Sequence, residues 1–334
     1  MREAHLKYLA CPECLESLII RDVTEREGEV IEAGNLHCVR CGVDYPIIRA
    51  IPRFVPLSNY ADGFSFQWHR HAMTQHDRHS RTKISEQRFF QETRWPRSLP
   101  GETILEVGCG SGRFTAQAIS TGAMVVSCDL SQAVEVNYRI HGRLPHVLIV
   151  QADIYRLPFA DATFDRLFCL GVLQHTPDVR RSFMALPRPL KSGGSLVVDV
   201  YDKHGGVFGL LEFFYRTYYW VRPLTRRVPP ERLYGWVSRY IRTMWPVAKV
   251  INKIPLLGRR LNRMLLIADY RGRYDLTEDQ LLQWSILDTF DMLSPAYDQR
   301  QTLDTVRGWF RDTPLCEVDV HYGHNGIEGR GTKC

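Results

Sequence analysis

The sequence predicts an α/β protein: a doubly wound, mostly parallel seven-stranded sheet, with a small metal-clipped module before it and a helical insertion after its fifth strand. Three observations carry this. From TILEVG onward, apolar strand patterns alternate with helical ones, as a parallel sheet covered by helices on both faces requires. Two CxxC pairs, Cys11/Cys14 and Cys38/Cys41, stand within the first 57 residues. Residues 205–268 carry twelve Lys/Arg against Glu212 and Glu231, so this block holds +10 of a chain whose net charge is +6 and leaves the remainder at −4.

With 334 residues and 44% apolar composition, the chain can bury a full core and a second module, which excludes wholesale disorder. MREAHLKYLACPEC has neither the apolar run nor the cleavage pattern of a signal peptide, and no stretch reaches the ~18–20 apolar residues of a spanning helix. Nine cysteines are few for this length. These features point to a cytoplasmic protein in a reducing compartment, where CxxC pairs hold metal more often than disulfides. The expected organisation is a ribbon over 1–57, lead-in helices over 58–100, the sheet domain over 101–204 and 276–334, and the basic helical insertion over 205–275.

In the clip, 23 residues separate the two pairs, and LIIRDV and EVIEAG between them alternate as a short hairpin does. Each CxxC turn aims two thiolates at one point, and two such turns make a tetrahedral S4 site, which selects zinc or iron. A disulfide pair or four unrelated cysteines are the alternatives. With Cys11, Cys14, Cys38 and Cys41 all thiol ligands, no position is left for water, so the expected zinc is structural. LACPECLESL and LHCVRCGVDYPIIRAIPRF, roughly residues 5 to 57, resemble the small zinc-ribbon activator protein that partners tRNA, rRNA and release-factor methyltransferases, and its short bacterial relatives. The resemblance implies a module that stabilises a methyltransferase by lying against its sheet, here fused in cis.

The sheet domain reads in order. TILEVG leads to a helix from Gly112, MVVSCD to a helix from Ser131, then come HVLIVQAD, FDRLFCLG, and SLVVDVY after an SGG turn at 192–194. Gly108, Gly110 and Gly112 leave the first strand with no side chains to hold a ligand away from the backbone and its N–H groups. A dinucleotide turn uses similar glycines, and three acids distinguish this one. Glu106 precedes the glycines and can meet a cationic amino-acid end of a ligand. Asp129 ends the second strand, placed to accept two ribose hydroxyls, and Asp153 ends the third, placed to accept from an adenine amine. EVGCGSG, CDLS and ADIYRLPFADATFD resemble the class I S-adenosylmethionine-dependent methyltransferases across residues 103–202. The resemblance implies S-adenosylmethionine as cofactor, with Leu130, Ile154 and Leu170 completing its site.

The fourth strand ends in CLGVLQHTPD. The Asn/Asp-Pro-Pro-aromatic loop of enzymes that methylate base or glutamine amines is missing. Cys169 lacks the Pro-Cys setting of cytosine-C5 enzymes and reads as core. GVLQHTPD resembles the quinone, sterol and natural-product methyltransferases, whose His-containing loop flanks the acceptor. His175 is then either a general base for a hydroxyl or a cap on the cofactor pocket.

His69, His71, His76 and His79 of the lead-in lack partners at ligand spacing and read as solvated. FSFQW resembles the lead-in of glycan-type bacterial methyltransferases, which makes Phe66, Gln67 and Trp68 pocket candidates. Over 205–268, VFGLLEFFYRTYYWV, ERLYGWVSRYIRTMW and VAKVINKIPLLGRRLNRMLLI read as helices with apolar faces and arginine edges, broken by Pro223, Pro229, Pro230, Pro246 and Pro255. Such helices fit a plain subdomain, a lid with peripheral contact to an anionic membrane, or an RNA surface. WSILDTFDMLSPAYDQRQTLDTVRGWF supplies the last helix, placing Tyr297 and Asp298 near the lid, and CEVDVHY with NGIEGRG closes the sheet as a hairpin. PRPLKSGG departs from the methyltransferases it resembles: Ser192 stands where they usually have proline, and prolines 187 and 189 leave the end of the fourth helix open. The expected activity is methyl transfer to oxygen or nitrogen of a small or lipid-linked metabolite such as a saccharide. RNA methylation and a non-catalytic cofactor-binding scaffold are the alternatives, and the complete set of glycines and acids speaks against the scaffold.

Overall fold

The computed structural model describes residues 1–203 and 217–334, apart from the side chains at positions 259, 260 and 263. The front module is a four-stranded antiparallel sheet, β1 (Leu18–Glu27), β2 (Val30–Cys38), β3 (Asp44–Ile48) and β4 (Ile51–Pro52), in that order. The expected hairpin is β1–β2, with Leu18 opposite Cys38.

The main sheet has seven strands. β5 (Thr103–Val107), β6 (Met124–Asp129), β7 (Val147–Gln151), β8 (Phe164–Cys169) and β9 (Leu190–Val200) run parallel. β11 (Gly326–Lys333) lies antiparallel to β9 and pairs with β10 (Leu315–Gly323), giving the order β10-β11-β9-β8-β5-β6-β7. The chain leaves β5 towards β6 and β7, then crosses back to β8 and β9. The crevice that ligands use in such sheets therefore opens beyond the carboxyl ends of β5 and β8. Every residue of β7 is buried, as is ILEV of β5, because helices cover both faces. α4 (Thr115–Ser120) follows β5 and α5 (Val134–His141) follows β6, while Phe183 of α6 (Val179–Ala185) packs at a tilt, centroids 4.8 Å apart, against Phe310 of α11 (Leu303–Arg311). Cys316 and Cys334 form a disulfide across the final hairpin, a pairing not anticipated for a reducing compartment.

One expected turn lies inside a strand. Lys191–Gly194 form an irregularity within β9: Phe164 pairs with Leu190, yet Arg166 pairs with Ser195. Gly193, at φ 78°, takes up the extra length in a conformation that costs glycine little.

The ribbon is a separate sheet that abuts the main one at its β7 edge, joined there by one isolated bridge. Arg53 bridges to Gln151 in parallel, and the Phe54 N–H donates to the Gln151 carbonyl at 2.9 Å. The Ala10 N–H donates to Pro158 O at 2.9 Å, and Leu9, Cys11, Leu18 and Leu36 join one apolar core with Leu105, Phe159 and Phe164. Arg53, 2% exposed, donates to Gln151 Oε1 and Glu135 Oε1, each at 2.9 Å. The contact covers the carboxyl end of an edge strand, pairing one of its backbone groups.

The lead-in comprises α1 (Asp62–Arg70), α2 (Asp77–Ser80) and α3 (Ile84–Thr93). Two of its histidines are not solvated. His71 Nε2 lies 3.0 Å from the Tyr234 hydroxyl and His76 Nε2 lies 3.2 Å from Ser111 Oγ, both rings buried, while His69 and His79 are exposed. Their partners lie 35 and 163 residues away, so no local spacing could reveal them.

In the insertion, the predicted helix over VFGLLEFFYRTYYWV begins outside the described residues, and its described part is α7 (Tyr218–Thr225). α8 (Pro230–Ile251) and α9 (Gly258–Met264) follow. Pro229, Pro230 and Pro255 do interrupt helices, but Pro246 sits within α8 and Pro223 within α7. A helix-interior proline costs about 3 kcal/mol. Burial of Ile241, Trp245 and Ala248 on either side of Pro246 outweighs that cost. α10 (Glu278–Leu293), capped reciprocally by Thr277 and Gln280, packs Leu281, Ile286 and Phe290 into the insertion's core rather than onto the sheet.

Candidate active site

Where β5 ends, Gly108, Gly110 and Gly112 all take positive φ. A Cβ on Gly108 would fall 2.2 Å from Val172 Cγ2, and one on Gly110 would fall 2.9 Å from the Trp68 indole nitrogen. The turn therefore fits its neighbours only without side chains, and Trp68 of the lead-in lies directly over it. Gly110 N–H donates to Asp129 Oδ2 at 2.9 Å, while Asp129 Oδ1 accepts from the Ser131 N–H at 2.8 Å and its hydroxyl at 2.7 Å. Burial pushes the Asp129 carboxyl above the usual carboxylate range.

These residues line a cavity of about 920 Å³. Gly108, Gly110, Asp129, Leu130, Ile154 and Leu170 form its sheet-side wall. Three other cofactor candidates stand behind that wall. Gly112 lies two residues beyond Gly110, where a Cβ would fall 2.3 Å from Asn137 Oδ1. Asp153 caps the short 3₁₀ turn Ile154–Arg156, its Oδ1 accepting from the Tyr155 N–H at 3.0 Å. Glu106 is 2% exposed and its Oε2 accepts from Thr115 Oγ1 and, at 2.7 Å, from Ser127 Oγ. Burial lifts the Glu106 carboxyl to about 8, and its two accepted hydrogen bonds tie β5 to α4 and β6 beneath the glycine turn.

His175 lies in the 3₁₀ turn Leu173–His175 after β8 and lines the same cavity. Its Nδ1 is 3.0 Å from the Tyr297 carbonyl oxygen. A carbonyl only accepts, so Nδ1 carries the proton and, in the neutral ring, Nε2 offers the lone pair. Phe64, at 5.1 Å, and Tyr201, at 5.7 Å, hold the ring edge-on from two sides.

The lead-in forms the roof. Gln67 and Trp68 line the cavity; Phe66 instead joins the insertion's core, against Phe290. Gln67 is 2% exposed, and its Oε1 has no hydrogen-bond partner among the described residues. Tyr297 packs edge-on against Tyr60 at 5.5 Å, closing one end, and Asp298 faces Arg300 at 3.8 Å.

The far wall contains residues that sequence reasoning did not single out. Asp288 accepts from the Tyr270 hydroxyl and from Gln75 Nε2 at 3.1 Å, and burial pushes its carboxyl up to about 7. Asp291, likewise pushed up by burial, is bound by Gln67. Arg113 donates to Ser85 Oγ at 2.8 Å and Gln75 Oε1 at 3.0 Å, and burial draws its guanidinium down to about 10. Outside the cavity lining, Asp199 at the end of β9 accepts from Arg88 at 2.5 Å and from Gly171 N–H, which fastens the lead-in to the sheet. A signal for the paired acids did exist: DTFD sets two carboxylates three residues apart, on one helix face.

The clip residues converge as their spacing predicts. Cys11, Cys14, Cys38 and Cys41 bring their sulfurs within 4.8 Å of one another. A tetrahedral site with Zn–S bonds of about 2.3 Å needs sulfurs about 3.8 Å apart, so the donor set and its geometry fit that ion. His5, by contrast, docks the ribbon, its Nε2 3.0 Å from Pro145 O.

Residues 105–198 match a family described as a methyltransferase domain. A demethylmenaquinone methyltransferase of Beutenbergia cavernae is 29% identical over 190 residues, covering 54% of this chain and 77% of that protein. One from Corynebacterium kroppenstedtii is 35% identical over 99 residues, 30% of this chain and 42% of that protein. A ubiquinone biosynthesis O-methyltransferase of Xanthomonas oryzae pv. oryzae is 31% identical over 119 residues, 34% of this chain and 48% of that protein. The chain thus spans less than half the length of the latter two relatives. Among solved structures, an S-adenosylmethionine-dependent methyltransferase of Thermotoga maritima is 14% identical, with 82% of this chain and 99% of that one aligned at a TM-score of 0.43.

Proposed function

We propose that this chain, a class I S-adenosylmethionine-dependent methyltransferase by its domain and its sheet, methylates an oxygen or nitrogen of a small or lipid-linked acceptor. The observation that carries this reading is the continuity of one cavity from the glycine turn past His175 to Asp288 and Trp284.

The cofactor's residues would be Gly108 and Gly110, whose bare backbone gives close approach, with Asp129 receiving the ribose hydroxyls. Leu130, Ile154 and Leu170 would flank the adenine, and the unpaired Gln67 Oε1 would accept one further donor. When bound, the cofactor supplies an electrophilic methyl group, so the protein's task is positioning. His175 would take the acceptor's proton at Nε2, its ring held by Tyr297, Phe64 and Tyr201. Tyr201, Tyr274 and Trp284 present aromatic faces, and Asp288 and Asp291 present carboxyls, a combination that suits a hydroxyl-bearing ring such as a saccharide or a phenol. Relatives named for quinone biosynthesis favour a cyclic acceptor too. The ribbon would act as an in-cis stabiliser, held at the β7 edge by Arg53 and by its zinc.

RNA methylation is the second reading, favoured by the exposed Arg232, Arg239 and Arg242 of α8. The test supplies labelled S-adenosylmethionine with phenolic, glycan and glycolipid pools and with total tRNA. Label in a small-molecule or lipid pool supports the proposal, and label confined to tRNA replaces it. Intact cofactor binding with no transfer to any pool would favour the scaffold.

A further inference from the structure

We infer that α8 and the turn after it form a docking face for an anionic lipid bilayer. α8 carries two apolar stripes. Leu233, Val237, Ile241, Trp245 and Ala248 recur at helical spacing and are buried in the insertion's core. Trp236, Tyr240, Val247 and Val250 recur at spacings of four, seven and three, which returns them to a second face of a helix with 3.6 residues per turn. These four are 62%, 38%, 44% and 66% exposed. A helix that serves only to cover a core has no use for this second stripe.

The turn beyond α8 continues the stripe. Just past the helix end Ile254 is 44% exposed, and Leu256 and Leu257 project 96% and 53% of their surface. Leu256 holds φ at 63°, a conformation that L residues other than Asn and Asp rarely take, so the apolar tip is displayed at some cost to the chain.

Charge selects the occupant. Arg232, Arg239, Arg242, Lys249 and Lys253 are all exposed and lie along one side of the stripe. Between Thr217 and Ala268 the sequence has Glu231 as its only acid. A Trp/Tyr stripe edged by Lys and Arg on one side is the composition of a helix lying in the plane of an anionic headgroup layer, aromatics at the interface and apolar tips below it. Among the described residues, no helix is long and apolar enough to cross a membrane, so this face rests on the bilayer and does not span it. The buried side of α8 belongs to the lid whose residues Leu266–Tyr270 line the cavity. Docking would therefore hold that lid close to the headgroup layer.

The full-length protein is sedimented with vesicles of phosphatidylcholine alone and of phosphatidylcholine mixed with phosphatidylglycerol. Retention is expected on the anionic vesicles only, weakening as salt rises. Trp236→Asp with Leu256→Asp is expected to lower retention roughly tenfold or more, and Arg239→Glu with Arg242→Glu to lower it similarly. Both pairs lie on the surface away from the cavity, so cofactor binding by calorimetry stays unchanged and reports folding. Three results would each overturn the assignment: equal retention on neutral and anionic vesicles, unchanged retention of Trp236→Asp/Leu256→Asp, or a dimer in vesicle-free buffer that these substitutions dissolve. Binding stands independently of the acceptor proposed above. Vesicle retention with label confined to tRNA would keep this face and discard that acceptor.

Discussion

Nδ1 of His175 lies 3.0 Å from the carbonyl oxygen of Tyr297, so a residue following β8 is oriented by a backbone atom 122 positions later. The contact decides which ring nitrogen is available to an acceptor. Replacing His175 by Ala is expected to lower kcat about a hundredfold while leaving cofactor affinity intact, the range for loss of a general base. Steady-state rates on an identified acceptor check this. Unchanged turnover would reduce His175 to a cap on the pocket.

Asp129 is expected to govern cofactor affinity. Asp129→Ala removes two charge-assisted hydrogen bonds worth ~1.5–3 kcal/mol each, so calorimetry is expected to show S-adenosylmethionine binding weakened roughly a hundredfold or more. Unchanged affinity would refute the site.

Asp288 gives a pH-dependent prediction whose sign is fixed by burial. Its folded carboxyl titrates near 7, well above an exposed aspartate. The folded state therefore holds this proton more tightly than the unfolded chain does. Its contribution to stability is present at low pH and is lost as pH rises towards 7. Asp288→Asn, which cannot ionise, is expected to raise Tm at pH 8, by an amount equivalent to ~2–4 kcal/mol, and to change it little at pH 4. Thermal melts at the two pH values test it, and an equal shift at both would show that the carboxyl is not held neutral.

Arg53 is expected to hold the ribbon on the sheet. Arg53→Ala leaves the buried Gln151 Oε1 without its donor while Glu135 keeps Arg49 at 2.9 Å, a loss of about 1–3 kcal/mol. Urea unfolding followed by ribbon and sheet probes should show the ribbon detaching first, with wild-type-like affinity for cofactor in water. A single unaltered transition would contradict the role of this ion pair.

If the four cysteines hold the proposed zinc, chelation is expected to reduce solubility and Tm before it reduces turnover, since no thiolate of the clip faces the cavity. Apo protein that keeps its Tm and loses activity would place that metal in the chemistry.

The parts of the fold that were legible in the sequence are those written locally. β5 to β9 show as apolar runs ended by glycine or aspartate, and the clip as two repeated spacings. Pro246 misled because the propensity of one residue yields to tertiary burial of Ile241, Trp245 and Ala248 around it. His71, His76 and the Arg88–Asp199 pair were hidden for another reason: their partners sit 163, 35 and 111 residues away. Glu106 was visible as an acid before the glycines, yet its hydrogen bonds to Thr115 and Ser127 depend on how α4 returns over β6. The acceptor wall was least legible, because Asp288 and Tyr270 gain meaning only when the insertion folds back over the crevice.

The placement of the ribbon at the β7 edge has a consequence for assembly. A separate chain occupying that edge would have to be made in matching amounts and would leave when diluted. Here the occupant is tethered through a few residues after Arg53, which sets its local concentration on the order of millimolar or higher. Edge and cover are translated in equal number and cannot be parted by dilution, so the exposed strand never waits for a partner.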